Sequence, residues 1–354
     1  MSKLCVFPFD KENVSIVRYS SLIREYNEVI PVAPNGFFAV GKDVSIIDGG
    51  KNCGIVVQGD VMKIIETVDA IFLSELAEYD FDKSVYQEII KAAIKNDVKI
   101  IITDTLCDKL NAKDFADTIV EFSSDVPTLD GHKNLLNIEV PVITVYGLGK
   151  NSDKFYTQLL LREFFSKQGY KVSQIGTKKY SDFFGIKPLP KFIFDNIPMA
   201  DKIKLFNQFA YDLVSSEKSD LLICGVSGGL ISTNPFYFEE FGESASIIST
   251  ALPPDYSVLN VYYQELNNEL IDNYVNICKY KLNSSVRAIN LTNSCFYMTA
   301  DDRKGSYFYL PAEKTDEEIK KWSKRKESIF NMHDEKSVNV FVNSMLDELT
   351  NKLF

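Results

Sequence analysis

Histidine is scarce in this 354-residue chain: only His132 and His333 occur, which leaves little room for imidazole-based metal chemistry. The six cysteines, Cys5, Cys53, Cys107, Cys224, Cys278 and Cys295, include no C-x-x-C pair. The usual spacings of a zinc site or an iron–sulfur cluster are therefore missing, and no metal site is expected. No apolar run approaches the length that spans a bilayer, and the N-terminus has no long apolar stretch behind a basic region. The expectation is a cytoplasmic protein with no membrane partner. Positive charge is also in deficit, with 39 Lys and Arg against 49 Asp and Glu and a formal net charge of −10, so nucleic acid is a poor partner. Proline and glycine are too few for long disordered tracts.

What is present is ordinary for a folded protein: 45% hydrophobic and 25% charged residues. A chain of this length exceeds the size at which one core keeps growing, so two domains are expected. The first half alternates strand and helix patterns. Strands are predicted over 3–9, 28–32, 69–75 and 98–104, and helices over 19–26 and 83–95. Between Asp108 and Glu139 the pattern weakens into a helix and an interdomain connection. The glycines at Gly36, Gly41, Gly49, Gly50 and Gly54 read as turns, and the acidic run from Ser74 to Asp82 reads as a solvated loop with a helix N-cap.

The second half begins with a strand at 140–146, followed by a helix at 155–168 and a strand at 171–175, one βαβ unit with a glycine loop at its first turn. After a proline-rich passage come a helix from Asp201 to Ser215 and a strand at 220–225 that runs into a second glycine turn. Helix 236–241, strand 258–262, helix 265–281 and strand 286–291 follow, then an edge strand after a turn at 301–305, and a helical tail from Thr315. The fold class is α/β: two doubly wound domains, an N-terminal Rossmann-like domain over 1–136 and a C-terminal P-loop-NTPase-like parallel sheet over 137–354.

Two glycine loops carry the candidate site: Gly147, Gly149, Lys150 and Lys154 on the first, and Gly225, Ser227, Gly228 and Gly229 on the second. At the carboxyl edge of a parallel sheet they would frame a nucleotide or anion, with either Lys150 or Lys154 on phosphates. The first loop departs from a Walker loop: Asp153-Lys154-Phe155 stands where Gly-Lys-Ser/Thr belongs. Phenylalanine cannot ligate Mg²⁺ and Asp153 repels phosphate, so ATP or GTP is an open cofactor question and Mg²⁺ is doubtful. The enzymatic alternative is a nucleotide-dependent ligase or transferase. A lesser one is a serine hydrolase, because Gly225-Val-Ser227-Gly-Gly229 matches G-x-S-x-G with Asp301 or Asp302 and then His333 downstream, although Pro235 delays the helix an elbow needs.

From Pro141 to Gly229 the layout resembles dethiobiotin-synthetase-like P-loop proteins. Pro141 to Gly149, Phe155 to Glu163, Gly169 to Gly176 and the turn from Gly225 to Gly229 resemble a family of clostridial peptide maturation system proteins. That resemblance implies an accessory role beside radical SAM enzymes and small precursor peptides in clusters for ribosomally made, post-translationally modified peptides such as bacteriocins. Precursor peptide and radical SAM maturation enzyme are the partners it implies.

Overall fold

The computed structural model describes residues 2–75, 82–129, 134–232, 238–298 and 305–352. The chain divides into two compact units, one formed by 1–122 together with 179–185, the other by 123–178 and 186–354. Both are α/β.

In the first unit, strands β1 (Lys3–Phe7), β2 (Glu28–Pro31), β3 (Ala70–Leu73), β4 (Lys99–Thr103) and β5 (Thr118–Val120) form a parallel sheet in the order β2-β1-β3-β4-β5. Every residue of β3 is buried, as expected of a strand covered by helices on both faces. The helices are α1 (Val14–Arg18), α2 (Ser45–Asp48), α3 (Val61–Ile65), α4 (Lys83–Lys95) and α5 (Asp104–Leu110). Helix α4 buries Tyr86, Ile89, Ile90 and Ala93, spaced to one stripe, into a core with Ile71, Leu73, Ile100 and Ile102. Burying each such aliphatic side chain contributes about 1.5–3 kcal/mol. Asp82 caps α4 by accepting from the Ser84 amide at 2.9 Å, as the sequence predicts. Gly36, Gly41, Gly49 and Gly54 all take positive φ, so the glycine-rich stretch is a run of turns.

Three expectations fail in this unit. The helix predicted over 19–26 lies earlier, at α1, with only a short 3₁₀ turn at Ser20–Leu22. The weak pattern after Asp108 conceals β5, an edge strand whose first two residues are exposed and therefore carry little apolar signal. Of the stretch read as a connection, 123–129 and 134–136 belong to the second unit: Ser123 bridges Pro190, Lys187 pairs with Asp125 at 2.5 Å, and the Asn207 side chain holds the Leu136 amide and carbonyl, while 130–133 lie outside the described residues. Of the acidic run, Glu78 and Asp80 lie outside the described residues.

In the second unit a parallel sheet runs β14-β11-β10-β6-β9-β7-β8, where β6 is Val142–Gly147, β7 Val172–Gly176, β8 Lys187–Pro188, β9 Leu221–Gly225, β10 Tyr256–Val261, β11 Val286–Leu291 and β14 Ser328–Phe330. Helices α6 (Lys154–Lys167), α7 (Met199–Glu217), α8 (Glu243–Ala251), α9 (Asn268–Leu282), α10 (Ala312–Ile319) and α11 (Glu335–Lys352) connect or follow the strands. Chain order reverses at β6, which lies between β9 and β10 and places a topological switch point at its carboxyl end. Of the helix expected over 236–241, residues 236–237 lie outside the described residues; a 3₁₀ turn spans Glu239–Gly242 and α8 begins at Glu243. Strand β14 interrupts the tail read as wholly helical. The edge strand predicted after the 301–305 turn is half of an antiparallel ribbon, β12 (Ser294–Met298) with β13 (Gly305–Tyr309); residues 301–304 lie outside the described residues.

Buried polar side chains tie the strand ends together. Thr157 Oγ1 donates to Asn260 Oδ1 at 2.6 Å, Asn260 Nδ2 to the Tyr146 carbonyl at 2.7 Å, and Asn290 Nδ2 to Asn260 Oδ1 at 2.7 Å. Asn331 Nδ2 and Thr315 Oγ1 both donate to Asn293 Oδ1, at 2.9 and 2.7 Å. Such paired groups fix where each loop leaves the sheet.

Candidate functional site

The two glycine loops meet. Strands β6 and β9 are hydrogen-bonded neighbours, with Val145 opposite Gly225, so the loops leave the same edge side by side. The first loop turns on left-handed Asn151 and Asp153 and enters α6 at Lys154. Lys154 folds back under the loop: its ammonium donates to the Gly149 carbonyl, to the Gly228 carbonyl at 3.0 Å and to Ser152 Oγ at 3.4 Å. Ser152 Oγ also donates to the Gly149 carbonyl, at 2.8 Å. Lys154 is therefore a buried staple between the loops, whereas Lys150 is exposed. Phe155, at the position where a Walker loop carries its Mg²⁺-binding hydroxyl, is buried.

The glycines are required by close approach. A Cβ on Gly147 would overlap Ser152 Oγ, one on Gly225 the Gln158 amide, and one on Gly229 the Leu148 carbonyl. At Gly149 it would lie 2.6 Å from Glu239 Oε1 and 2.7 Å from the Tyr262 hydroxyl. Glu239 Cβ would also lie 3.0 Å from a Cβ on Gly229, which places this side chain in the notch between the loops. Its Oε2 is buried and has no hydrogen-bond partner among the described residues. Glu239 and Phe241 hold positive φ of 46° and 55°, a conformation costing a non-glycine residue about 1 kcal/mol or more, which the surroundings must maintain.

Beside the notch lies a pocket of about 320 Å³ lined by Leu148 from the first loop, Leu230 and Ile231 beyond the second, and Tyr262, Tyr274 and Phe296. Tyr262 donates its hydroxyl to the Lys150 carbonyl and stacks on Phe296, ring centroids 5.7 Å apart, while Phe296 packs across the ribbon against Tyr307 at 5.3 Å. Burial first, then the neighbouring Tyr307 and Glu239, pushes the Tyr262 phenol above the ordinary tyrosine range, so it is a neutral hydrogen-bond donor at any physiological pH. Gln264 Nε2 donates to the Tyr274 hydroxyl at 3.0 Å. An amphipathic ligand with an apolar body suits such a lining.

Ser227 does not sit on a nucleophile elbow. Residues 226–232 are irregular, the next described helical turn starts at Glu239, and His333 packs edge-on against Tyr156 at 6.0 Å with no hydrogen bond to Ser227. Asp301, Asp302 and Pro235 lie outside the described residues. Sequence reasoning missed Glu239 and the aromatic pocket. Tyr262 had a readable signal, since it ends a predicted strand at the edge where open α/β sheets bind ligands; Glu239 had none.

No family model matches the chain, and no curated protein does. Among solved structures it is similar to a DUF1611 family protein from Anabaena variabilis, at 12% identity, with 99% of this chain and 100% of that chain covered and a TM-score of 0.61. That similarity shows the α/β fold across both units. A nucleotide-binding protein in complex with ADP from Archaeoglobus fulgidus (14% identity, 56% and 84% covered, TM-score 0.33) and a signal recognition particle 54 kDa protein from Aeropyrum pernix with GDP (15%, 63% and 51%, TM-score 0.32) are too distant in shape to carry an argument. No described helix is long and apolar enough to cross a membrane.

Proposed function

We propose that this chain is a cytoplasmic accessory protein in the maturation of a ribosomally made, post-translationally modified peptide, and that its second unit binds a segment of the precursor beside the glycine loops. The observation that carries the reading is the aromatic pocket at the switch point of the sheet, lined by Leu148 of the first loop and by Leu230 and Ile231 just beyond the second. The resemblance to clostridial peptide maturation proteins suggests the biological class, and a radical SAM enzyme is the partner to which the bound peptide would be presented. A precursor peptide from the same gene cluster should raise the melting temperature with concentration, by an amount corresponding to about 2.7 kcal/mol at a hundredfold excess over Kd. A flat response to the precursor, with and without the maturation enzyme, would exclude this reading.

A nucleotide-dependent ligase or transferase is the second reading, favoured by Lys154 standing at the entrance to α6 behind a glycine loop. Nucleotide would have to draw the ammonium away from the Gly149 and Gly228 carbonyls and tolerate the Glu239 carboxylate in the notch. Titration calorimetry with ATP and GTP, with and without Mg²⁺, decides it: heat that disappears in Lys154→Ala supports nucleotide use, and no heat removes it.

A further inference from the structure

Glu239 gives the notch a charge opposite to the one the glycine loops suggest. Its carboxylate lies against Gly149 and its Cβ against Gly229, where an anion would approach the loop backbones. Among the described residues nearby, Lys154 donates to the Gly149 and Gly228 carbonyls, Tyr262 to the Lys150 carbonyl, and Lys281 to the Leu230 and Phe241 carbonyls at 2.6 and 3.1 Å. A carboxylate with a buried oxygen that has no donor among the described residues is unfavourable, and a cationic donor from a ligand would relieve it.

The surface beside the notch matches such a ligand with an apolar companion. Leu230 and Ile231 line the pocket, and Lys281 bridges Leu230 to Phe241. Phe241, 66% exposed, stacks on Phe238, 49% exposed, at 5.0 Å, which extends an apolar surface from the pocket mouth. A net charge of −10 favours a basic approaching partner.

We propose that the notch is a cation-recognition point for a peptide: a lysine or arginine side chain meets Glu239 between the glycine loops while the adjoining aromatic or aliphatic side chain enters the pocket lined by Tyr262 and Phe296. This rests on the peptide-binding reading above and names the sequence class that would be bound. The test is fluorescence anisotropy on the full chain with two labelled, terminally blocked hexapeptides, Ser-Gly-Lys-Phe-Gly-Ser and the same peptide with norleucine replacing lysine. The lysine peptide should bind about tenfold or more tightly than the norleucine peptide, the usual scale for a charged hydrogen bond. Glu239→Gln, shown to be folded by circular dichroism, should erase that difference, and a tenfold preference for lysine that survives in Glu239→Gln would overturn the cation site. Equal binding of both peptides by the native chain would overturn the cation site and leave the peptide pocket standing. Binding of neither, with no melting shift from the precursor, would bring down the peptide reading and this inference with it.

Discussion

Lys154 shows how a residue legible as functional can have a second use. Its ammonium joins two loops 74 positions apart in the chain, and the acceptors it serves are backbone carbonyls that water reaches poorly. Lys154→Met keeps the stem and removes the donor, so it should lower unfolding stability by about 1–3 kcal/mol in urea titrations, whether or not nucleotide binds. The same scale governs the pH response of Glu318, a buried carboxylate. Burial alone would raise its pKa, but hydrogen bonds from Lys321, Trp322 and the Leu266 amide outweigh burial and hold it below the ordinary glutamate value of 4.5. A depressed folded-state pKa contributes stability that is present above that unfolded value and lost as pH falls through the folded one. Stability measured between pH of about 6 and about 3 should therefore fall less steeply in Glu318→Gln than in the native chain.

At the scale of elements, periodicity located the long helices and the buried strands because their signals are local. Helix α4 and strand β11 begin and end where the sequence reading puts them, since a cap, a stripe or a run of branched residues marks each limit. Helix α9 shows what one such mark contributes: Asn267 accepts from the Leu270 amide at 2.8 Å, and Asn267→Ala should cost about 1 kcal/mol, read as a lowered denaturation midpoint at unchanged slope. Short elements escaped for the converse reason. Strands β5 and β14 have three residues each, too few for a period to declare itself, and their pairing with β4 and β11 supplies the order that the segment lacks alone.

At the scale of the molecule, the first unit is completed by residues far along the chain. Tyr180 and Phe183 pack edge-on against Phe72, a fully buried side chain of β3, at 6.1 and 5.2 Å, and the Tyr180 hydroxyl meets Ser15 Oγ at 2.8 Å. Tyr180→Ala should destabilise the first unit by about 3 kcal/mol, seen as faster amide hydrogen exchange in β1 and β3. Exchange confined to 172–193 would show the segment to be an ornament instead of a part of that core.

Alternating apolar strands and amphipathic helices decided on their own that this protein is α/β with parallel sheets, and glycine after β6 and β9 decided that two close turns follow them. Both properties arise from steric and hydrophobic preferences a few residues long. The sheet order that sets those turns side by side, the passage of 179–185 into the first unit, and the entry of Glu239 between Gly149 and Gly229 were decided only by tertiary structure. Each depends on contacts between residues tens of positions apart, where the favoured partner is set by the shape of what has already packed and no spacing in the sequence records it.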